Sequence, residues 1–283
     1  MAVATATLPV SALAVDSRMQ TFVDPSRPTA ATTASAAKPT RTLETLIVTP
    51  VDTGRPFPLV VFGHGLTGRP AQYEKLLRRI ASAGFVVAAP TFPLSNTNAP
   101  GGPSLFDEPN QPGDMSFVIT QLLTDKQVDS EWVFVSGHSL GAITTVDLIG
   151  NPAMVDERVD GAVVISGTAN LFGSAKLFDK TPAVPVLFIH GDLDATVPIS
   201  LGLSTYAAAR SPKWFMTMIG GNHTFGIDGR ADLAGEAGLL YTDAISAFLA
   251  SVADGPLVVT AALRAVTSAH PSRLSLQSSA TGG

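Results

Sequence analysis

A serine lies between two glycines in the pentapeptide G-H-S-L-G at residues 137–141. The apolar run at 132–136 precedes it, and a segment of helical character follows it. Glycine two residues to either side of Ser139 permits a sharp turn between strand and helix, which holds the hydroxyl clear of the sheet. A serine exposed in this way attacks a carbonyl carbon when a base lies beside it. The pentapeptide therefore predicts a nucleophile elbow with Ser139 as the nucleophile.

The base must come from one of the five histidines, which are His64, His138, His190, His223 and His270. His138 lies inside the elbow, where we expect its side chain to point away from the cleft, and His270 belongs to the C-terminal tail. His223 follows the apolar strand predicted at 214–219, on a loop that can bring an imidazole to Ser139. We expect His223 to be the general base, and His64, His138 and His190 to be structural.

An acidic side chain is needed to hold the base in its productive tautomer. The loop after the strand predicted at 184–190 contains two aspartates. Asp194 lies deeper in this loop, just before Pro198, whereas Asp192 is better placed to accept hydrogen bonds from loop amides. We favour Asp194 as the acid, with Asp192 as the alternative.

Serine chemistry also needs donors for the negatively charged oxygen that forms on the substrate. The backbone N–H of Leu140, directly after the nucleophile, opens a helix and is the first expected donor. The backbone N–H of Leu66 is the expected second donor. Leu66 lies in the segment at 63–68, whose glycines let the backbone turn inward. Each such donor is worth about 3 kcal/mol in the transition state.

Composition excludes several other kinds of chemistry. The chain has 283 residues and no cysteine, so thiol nucleophiles and disulfides are excluded. No two histidines have the spacing of a zinc motif, and no glycine-rich segment continues into Lys-Ser or Lys-Thr, so we expect neither metal nor cofactor. The net charge of −5, without a basic run, argues against nucleic acid. No apolar run is long enough to span a membrane. We expect a monomer. A secreted or cell-envelope location is favoured over the cytoplasm.

The pattern along the chain alternates strands with helices, which predicts an α/β fold with an open, mostly parallel sheet covered on both faces. Strands are predicted at 43–49, 58–63, 85–89, 132–136, 159–166, 184–190 and 214–219. Helices are predicted at 71–83, 114–124, 139–149, 200–210 and 239–253, the second with Asp114 as its N-cap. We predict a low-complexity arm at 1–40, a catalytic domain at 41–255, and a C-terminal extension at 256–283 whose tail from 271 is disordered.

Together these motifs resemble the α/β-hydrolase superfamily over about residues 41–253. The resemblance rests on segments 64–68, 84–90, 137–141, 192–198 and 221–225. Within the superfamily, the chain is similar to bacterial serine esterases related to platelet-activating-factor acetylhydrolases, dienelactone-hydrolase-like proteins and cutinase-like polyester hydrolases. True dienelactone hydrolases use a cysteine nucleophile, which this chain lacks. Polyester hydrolases usually have an aromatic residue where this chain has Leu66.

The resemblance implies hydrolysis of carboxylic esters through an acyl-enzyme. The segment at 167–183, between the strands predicted at 159–166 and 184–190, is too short for a large helical cap, so we expect little or no cap. An open, shallow cleft would accept short or medium acyl chains, or exposed esters on larger molecules, including polymers. The expected apolar walls include Phe92, Leu171, Val197 and Phe225. Alternative reactions with the same residues are polyester hydrolysis, acyl transfer and amide hydrolysis. A further alternative is a non-catalytic binding protein on this fold.

Overall fold

A computed structural model of the chain describes residues 12–51, 54–169, 177–225 and 236–279. Within these ranges, nine strands form a single sheet. They are β1 (Val15–Asp24), β2 (Arg41–Pro50), β3 (Phe57–Gly63), β4 (Val86–Pro90), β5 (Val128–His138), β6 (Gly161–Ile165), β7 (Val186–Gly191), β8 (Lys213–Met218) and β9 (Leu274–Ser279). Their order across the sheet is β1-β2-β4-β3-β5-β6-β7-β8-β9.

The strands from β4 to β8 in this order run parallel to one another. At one edge β2 is antiparallel to β4 and β1 is antiparallel to β2, and at the other edge β9 is antiparallel to β8. This arrangement confirms the predicted mostly parallel sheet of an α/β-hydrolase fold. The carboxyl ends of β3, β5, β7 and β8 therefore meet at one edge of the sheet, where the loops that follow them can converge.

Helices cover both faces of the sheet. They are α1 (Glu74–Ser82), α2 (Gln111–Leu122), α3 (Leu140–Gly150), α4 (Ile199–Ala208), α5 (Glu236–Ser251) and α6 (Pro256–Ala269). Side chains of α1, α5 and α6 form one apolar core with Val60 and Phe62 of β3, and those of α2 and α3 form a second core with Leu59 and Val61. Alternate residues of a strand point to opposite faces, so a strand covered on both faces is a continuous apolar run.

Both ends of the chain contribute to the sheet beyond the predicted catalytic domain. β1, in the predicted low-complexity arm, pairs with β2 through register partners from Val15 with Pro50 to Asp24 with Arg41. The prediction that the tail from 271 is disordered is wrong for Leu274–Ser279, which form β9. Backbone hydrogen bonds build both edge strands, and few of their side chains are buried, so their apolar content is low.

The start of α2 differs from the prediction. Asp114 is not an N-cap, because α2 begins at Gln111 with Pro112 in its first turn, a position that proline favours. The Asp114 side chain is instead buried, and one of its oxygens accepts a hydrogen bond of 2.7 Å from Nη2 of Arg41. A carboxylate removed from water in this way requires a cation beside it.

Two further structural predictions concern the surface of the domain. Within the described ranges, no helix is both long and apolar enough to cross a lipid bilayer. The prediction of little or no cap stays a prediction, since residues 170–176 and 226–235 lie outside those ranges.

Candidate active site

The turn between β5 and α3 places Ser139 at the carboxyl edge of the sheet. Ser139 has φ 54° and ψ −118°, a conformation that a residue with a side chain rarely adopts and that tight packing must maintain. A methyl group on Gly137 would overlap the carbonyl of Gly141, and one on Gly141 would overlap the carbonyl of Gly63. Both glycines are therefore required, because strand and helix backbones touch where the chain turns.

The side chains of Ser139, His223 and Asp194 form a continuous hydrogen-bonded series. Nε2 of His223 lies 2.8 Å from Oγ of Ser139, and Nδ1 of the same ring lies 2.8 Å from Oδ2 of Asp194. The His223 side chain is 13% exposed, so the ring can be reached from solvent, whereas the Asp194 side chain is buried. Sequence reasoning predicted these three residues to meet, and the structure brings them together.

Asp194 is surrounded by donors. Its Oδ1 accepts hydrogen bonds from the N–H groups of Thr196 and Val197, and His190 Nε2 lies 3.4 Å from its Oδ2. Burial raises the pKa of Asp194, but the nearby His190 ring and the hydrogen bonds from His223 and Val197 outweigh burial and lower that pKa below its ordinary value. Asp194 is consequently a carboxylate at neutral pH, as an acceptor for an imidazole N–H must be.

Asp192 has the other role considered for it. Its Oδ1 accepts a hydrogen bond of 2.7 Å from the N–H of Gly220 and makes no hydrogen bond to His223 among the described contacts. This bond joins the loop after β7 to the loop after β8. Gly191 and Gly221 pack backbone to backbone at the same place, since a methyl group on Gly191 would overlap the carbonyl of Gly221.

Of the two predicted oxyanion donors, Leu140 directly follows Ser139, and Leu66 follows Gly65, where an added methyl group would approach Cβ of Ser139 to 3.1 Å. Leu140 is the first residue of α3, so its N–H has no carbonyl one turn earlier to bind. Leu66 lies in a tight turn in which Gly68 N–H donates to Gly65 O, and no hydrogen bond among the described residues uses the Leu66 N–H. Among the described residues neither N–H has a hydrogen-bond acceptor, and the role of both as oxyanion donors remains a prediction.

Comparisons with known proteins agree with this architecture. The chlorophyllase family model matches residues 19–153, and the phospholipase/carboxylesterase family model matches residues 111–217. The chain is 32% identical over 195 residues to chlorophyllase-1, chloroplastic, of Citrus unshiu. The chain belongs to the α/β-hydrolase superfamily.

The matches differ in how much of this α/β-hydrolase they cover. The alignment to the Citrus protein includes 66% of this chain and 55% of that relative, so the chain spans about half the length of the curated relative. Both family models include Ser139, the second also includes Asp194, and neither reaches His223. The superfamily prediction is confirmed, whereas the similarity to particular bacterial groups stays a prediction.

Two further histidines of this α/β-hydrolase brace its loops, as predicted. His64 Nε2 accepts a hydrogen bond from the Phe92 N–H at 3.0 Å, so its proton is on Nδ1, which donates to Gly65 O at 2.8 Å. Burial lowers the pKa of His64 to about 4, which keeps the ring neutral. Nε2 of His190 donates to Val197 O at 2.8 Å, which holds the Asp194 loop.

His138 is buried, in agreement with its predicted packing role, and it also makes two polar contacts. Its Nε2 lies 2.7 Å from the backbone oxygen of His223, and its Nδ1 lies 3.0 Å from the hydroxyl of Tyr73. Sequence reasoning missed both contacts. The position of His138 inside the elbow was a signal that it lies near the nucleophile, but no spacing in the sequence links it to Tyr73.

The predicted substrate walls are wrong for Phe92 and Phe225. Phe92 is fully buried with its ring 4.8 Å from the ring of His64, and Phe225 is buried with its ring 5.6 Å from that of Tyr241. Neither side chain can touch a substrate in this structure, because protein atoms surround it. Val197 is half-buried and remains available, and Leu171 lies outside the described residues.

Proposed function

We propose that this protein is a carboxylic ester hydrolase that uses Ser139, His223 and Asp194 as a catalytic triad. The observation that carries the proposal is the hydrogen-bonded series from Asp194 through His223 to Ser139. Similarity to chlorophyllase and to the phospholipase/carboxylesterase family supports the same class of bond. Strained residues cluster at functional sites, so the conformation of Ser139 beside an imidazole favours an enzyme over a non-catalytic binding protein.

In the first half of the proposed reaction, His223 Nε2 takes the proton from Ser139 Oγ as the oxygen attacks the ester carbonyl carbon. The N–H groups of Leu66 and Leu140 donate to the oxygen that becomes negatively charged. Asp194 accepts the Nδ1 proton and stabilises the imidazolium that forms. His223 then protonates the leaving alcohol, and the acyl group remains on Ser139.

In the second half, water takes the place of the alcohol. His223 removes a proton from the water, whose oxygen attacks the acyl carbon of the ester on Ser139. The same two N–H groups receive the new oxyanion. Collapse of this intermediate releases the carboxylic acid and returns the proton from His223 to Ser139.

Hydrolysis of 4-nitrophenyl acetate and butyrate tests the proposal directly. Ser139→Ala should lower kcat by roughly 10⁴-fold or more, as loss of a nucleophile does in other triads. Ser136→Ala is a matched control, because Ser136 is a buried serine three residues earlier in β5. It should keep activity close to that of the wild type. Equal rates from the wild type and Ser139→Ala would overturn the proposal.

The substrate class follows from the same assay with a graded panel. We expect short and medium acyl esters, or exposed esters of larger molecules, to be hydrolysed best. The chlorophyllase similarity makes chlorophyll a second candidate substrate, which chromatography of the reaction products would test. A soluble polyester, an anilide and an added alcohol acceptor in the panel would reveal polyester hydrolysis, amidase or acyltransferase activity.

A further inference from the structure

Three hydrogen bonds connect the loop of Leu66 to the loop of His223 through two buried side chains. The Gly65 N–H donates to the Tyr73 hydroxyl at 3.1 Å, and that hydroxyl lies 3.0 Å from Nδ1 of His138. Nε2 of His138 lies 2.7 Å from the backbone oxygen of His223. We call Tyr73 and His138 the bridge.

The direction of each bond in the bridge is fixed by chemistry. A backbone carbonyl only accepts, so Nε2 of His138 carries a proton and donates it to His223 O. In a neutral ring Nδ1 then accepts, and its donor is the hydroxyl of Tyr73. The tyrosine oxygen in turn accepts from the Gly65 N–H. Each donor therefore meets an acceptor along the whole path only if His138 is neutral and protonated on Nε2.

The environment keeps His138 in that state. His138 is 4% exposed and Tyr73 is 3% exposed. Burial, followed by the neighbouring His223, lowers the pKa of His138 to about 3, so the ring does not titrate near neutral pH. A neutral ring of this kind neither gives nor takes a proton during turnover.

The loop of Leu66 packs closely against both the nucleophile and the bridge at Gly65. A methyl group on Gly65 would approach Cβ of Ser139 to 3.1 Å and Nδ1 of His138 to 3.3 Å. The rings of His138 and His223 lie 5.0 Å apart between centroids. A shift of the Leu66 loop or of the His223 loop would therefore break a buried hydrogen bond or cause a steric clash at one of these contacts.

We propose that Tyr73 and His138 are positioning residues that hold the oxyanion loop and the His223 loop at a fixed distance from each other. The proposal rests on the proposed esterase function, in which Leu66 and His223 must act on the same substrate carbonyl. Small errors in the placement of such groups cost large factors in rate. The bridge acts on the transition state and leaves the binding of the ground state nearly unchanged.

Four variants test the bridge. Tyr73→Phe removes one hydroxyl, His138→Met removes both ring nitrogens, and His138→Gln keeps an N–H near the position of Nε2. We expect kcat for 4-nitrophenyl butyrate to fall roughly 10-fold in Tyr73→Phe and 100-fold in His138→Met, with KM within about twofold. His138→Gln should retain more activity than His138→Met. Tyr206→Phe is the matched control and should behave as the wild type.

A second measurement does not depend on turnover. Nitrogen-15 spectra of labelled histidine rings should show displaced His223 signals in Tyr73→Phe and His138→Met, and unchanged signals in Tyr206→Phe. If the wild type hydrolyses esters no faster than Ser139→Ala, the proposed function fails while these spectra still decide whether the bridge exists. Folded variants with unmoved His223 signals would overturn the bridge, as would kcat within twofold of the wild type in an active enzyme.

Discussion

Oδ2 of Asp194 lies 2.8 Å from Nδ1 of His223, although 29 positions separate the two residues in the chain. Asp192, two residues earlier, also reaches the loop of His223, but its Oδ1 accepts from the backbone of Gly220. Each aspartate therefore joins the loops after β7 and β8, and only Asp194 contacts the imidazole. The two aspartates are therefore a matched pair for testing which carboxylate supports His223.

Asp194→Asn should lower kcat by about 10³-fold to 10⁴-fold, because the neutral amide no longer stabilises the imidazolium and favours the wrong tautomer of His223. Asp192→Asn keeps an oxygen that can accept from Gly220, so its kcat should stay within a few fold of the wild type. Rates with 4-nitrophenyl butyrate, together with thermal unfolding to verify folding, compare the two variants. The reverse order of the two effects would assign the acid to Asp192.

The elbow glycines give a prediction about stability. Gly137→Ala should lower the free energy of unfolding by about 3 kcal/mol or more, because its methyl group overlaps the Gly141 carbonyl, which is fixed in α3. Gly102→Ala is the control, since Gly102 has φ 95° and open space around its Cα. The control should cost only about 1 kcal/mol for the backbone conformation. Urea unfolding of both variants measures the difference, and similar losses would contradict the steric argument.

Much of the fold could be predicted from the sequence because the inner strands are buried on both faces. Their continuous apolar runs left little ambiguity about β3, β5 or β7. The edge strands β1 and β9 have no such pattern, since backbone hydrogen bonds to β2 and β8 place them. Low complexity therefore correctly predicts that these segments contribute little to the core, but it is not evidence that they are disordered.

The site was predictable where a residue type and a strand end coincide. Ser139, Asp194 and His223 each follow a strand in the expected order, and the structure brings them within hydrogen-bonding distance. Phe92 and Phe225 also follow strands, but an apolar side chain near a site is as suitable for the core as for a cleft wall. Tyr73 and His138 are 65 positions apart in the chain. Their contact depends on how the segment just before α1 packs against the elbow, which no local sequence pattern encodes.

A buried cation gives a prediction far from Ser139. Arg41 is fully buried, and its Nη2 lies 2.8 Å from Asp107 and 2.7 Å from Asp114. Arg41→Met should lower the free energy of unfolding by about 3 to 5 kcal/mol, because two carboxylates would lose their buried partner. Arg79→Met, which breaks an exposed pair with Asp243, should cost less than about 1 kcal/mol.

The two arginine variants are compared by urea unfolding at one pH. Nearly equal losses would mean that Arg27, whose Nη2 lies 2.9 Å from Oδ1 of Asp114, compensates the buried carboxylates when Arg41 is absent. Restoring stability to Arg41→Met by adding Asp114→Asn would support the pairing, since the second change removes one of the stranded charges.

Glu108 should make the stability of this enzyme depend on pH. It is 2% exposed, and burial, followed by the charge of Asp147, raises its pKa to about 8 from an ordinary value of 4.5. Between those two pH values the native state holds a proton that the unfolded chain has lost. The contribution of Glu108 to the free energy of unfolding is therefore fully present below about pH 4.5, and it is lost as the pH rises to about 8.

Glu108→Gln cannot ionise and should lose this contribution to the pH dependence. Urea unfolding at about pH 5 and about pH 9 should show a smaller decrease in stability for Glu108→Gln than for the wild type, by a few kcal/mol. The exposed residue Glu131 provides the control, and Glu131→Gln should repeat the wild-type dependence. Identical pH dependence in the two glutamine variants would show that the pKa of Glu108 is not raised in the native state.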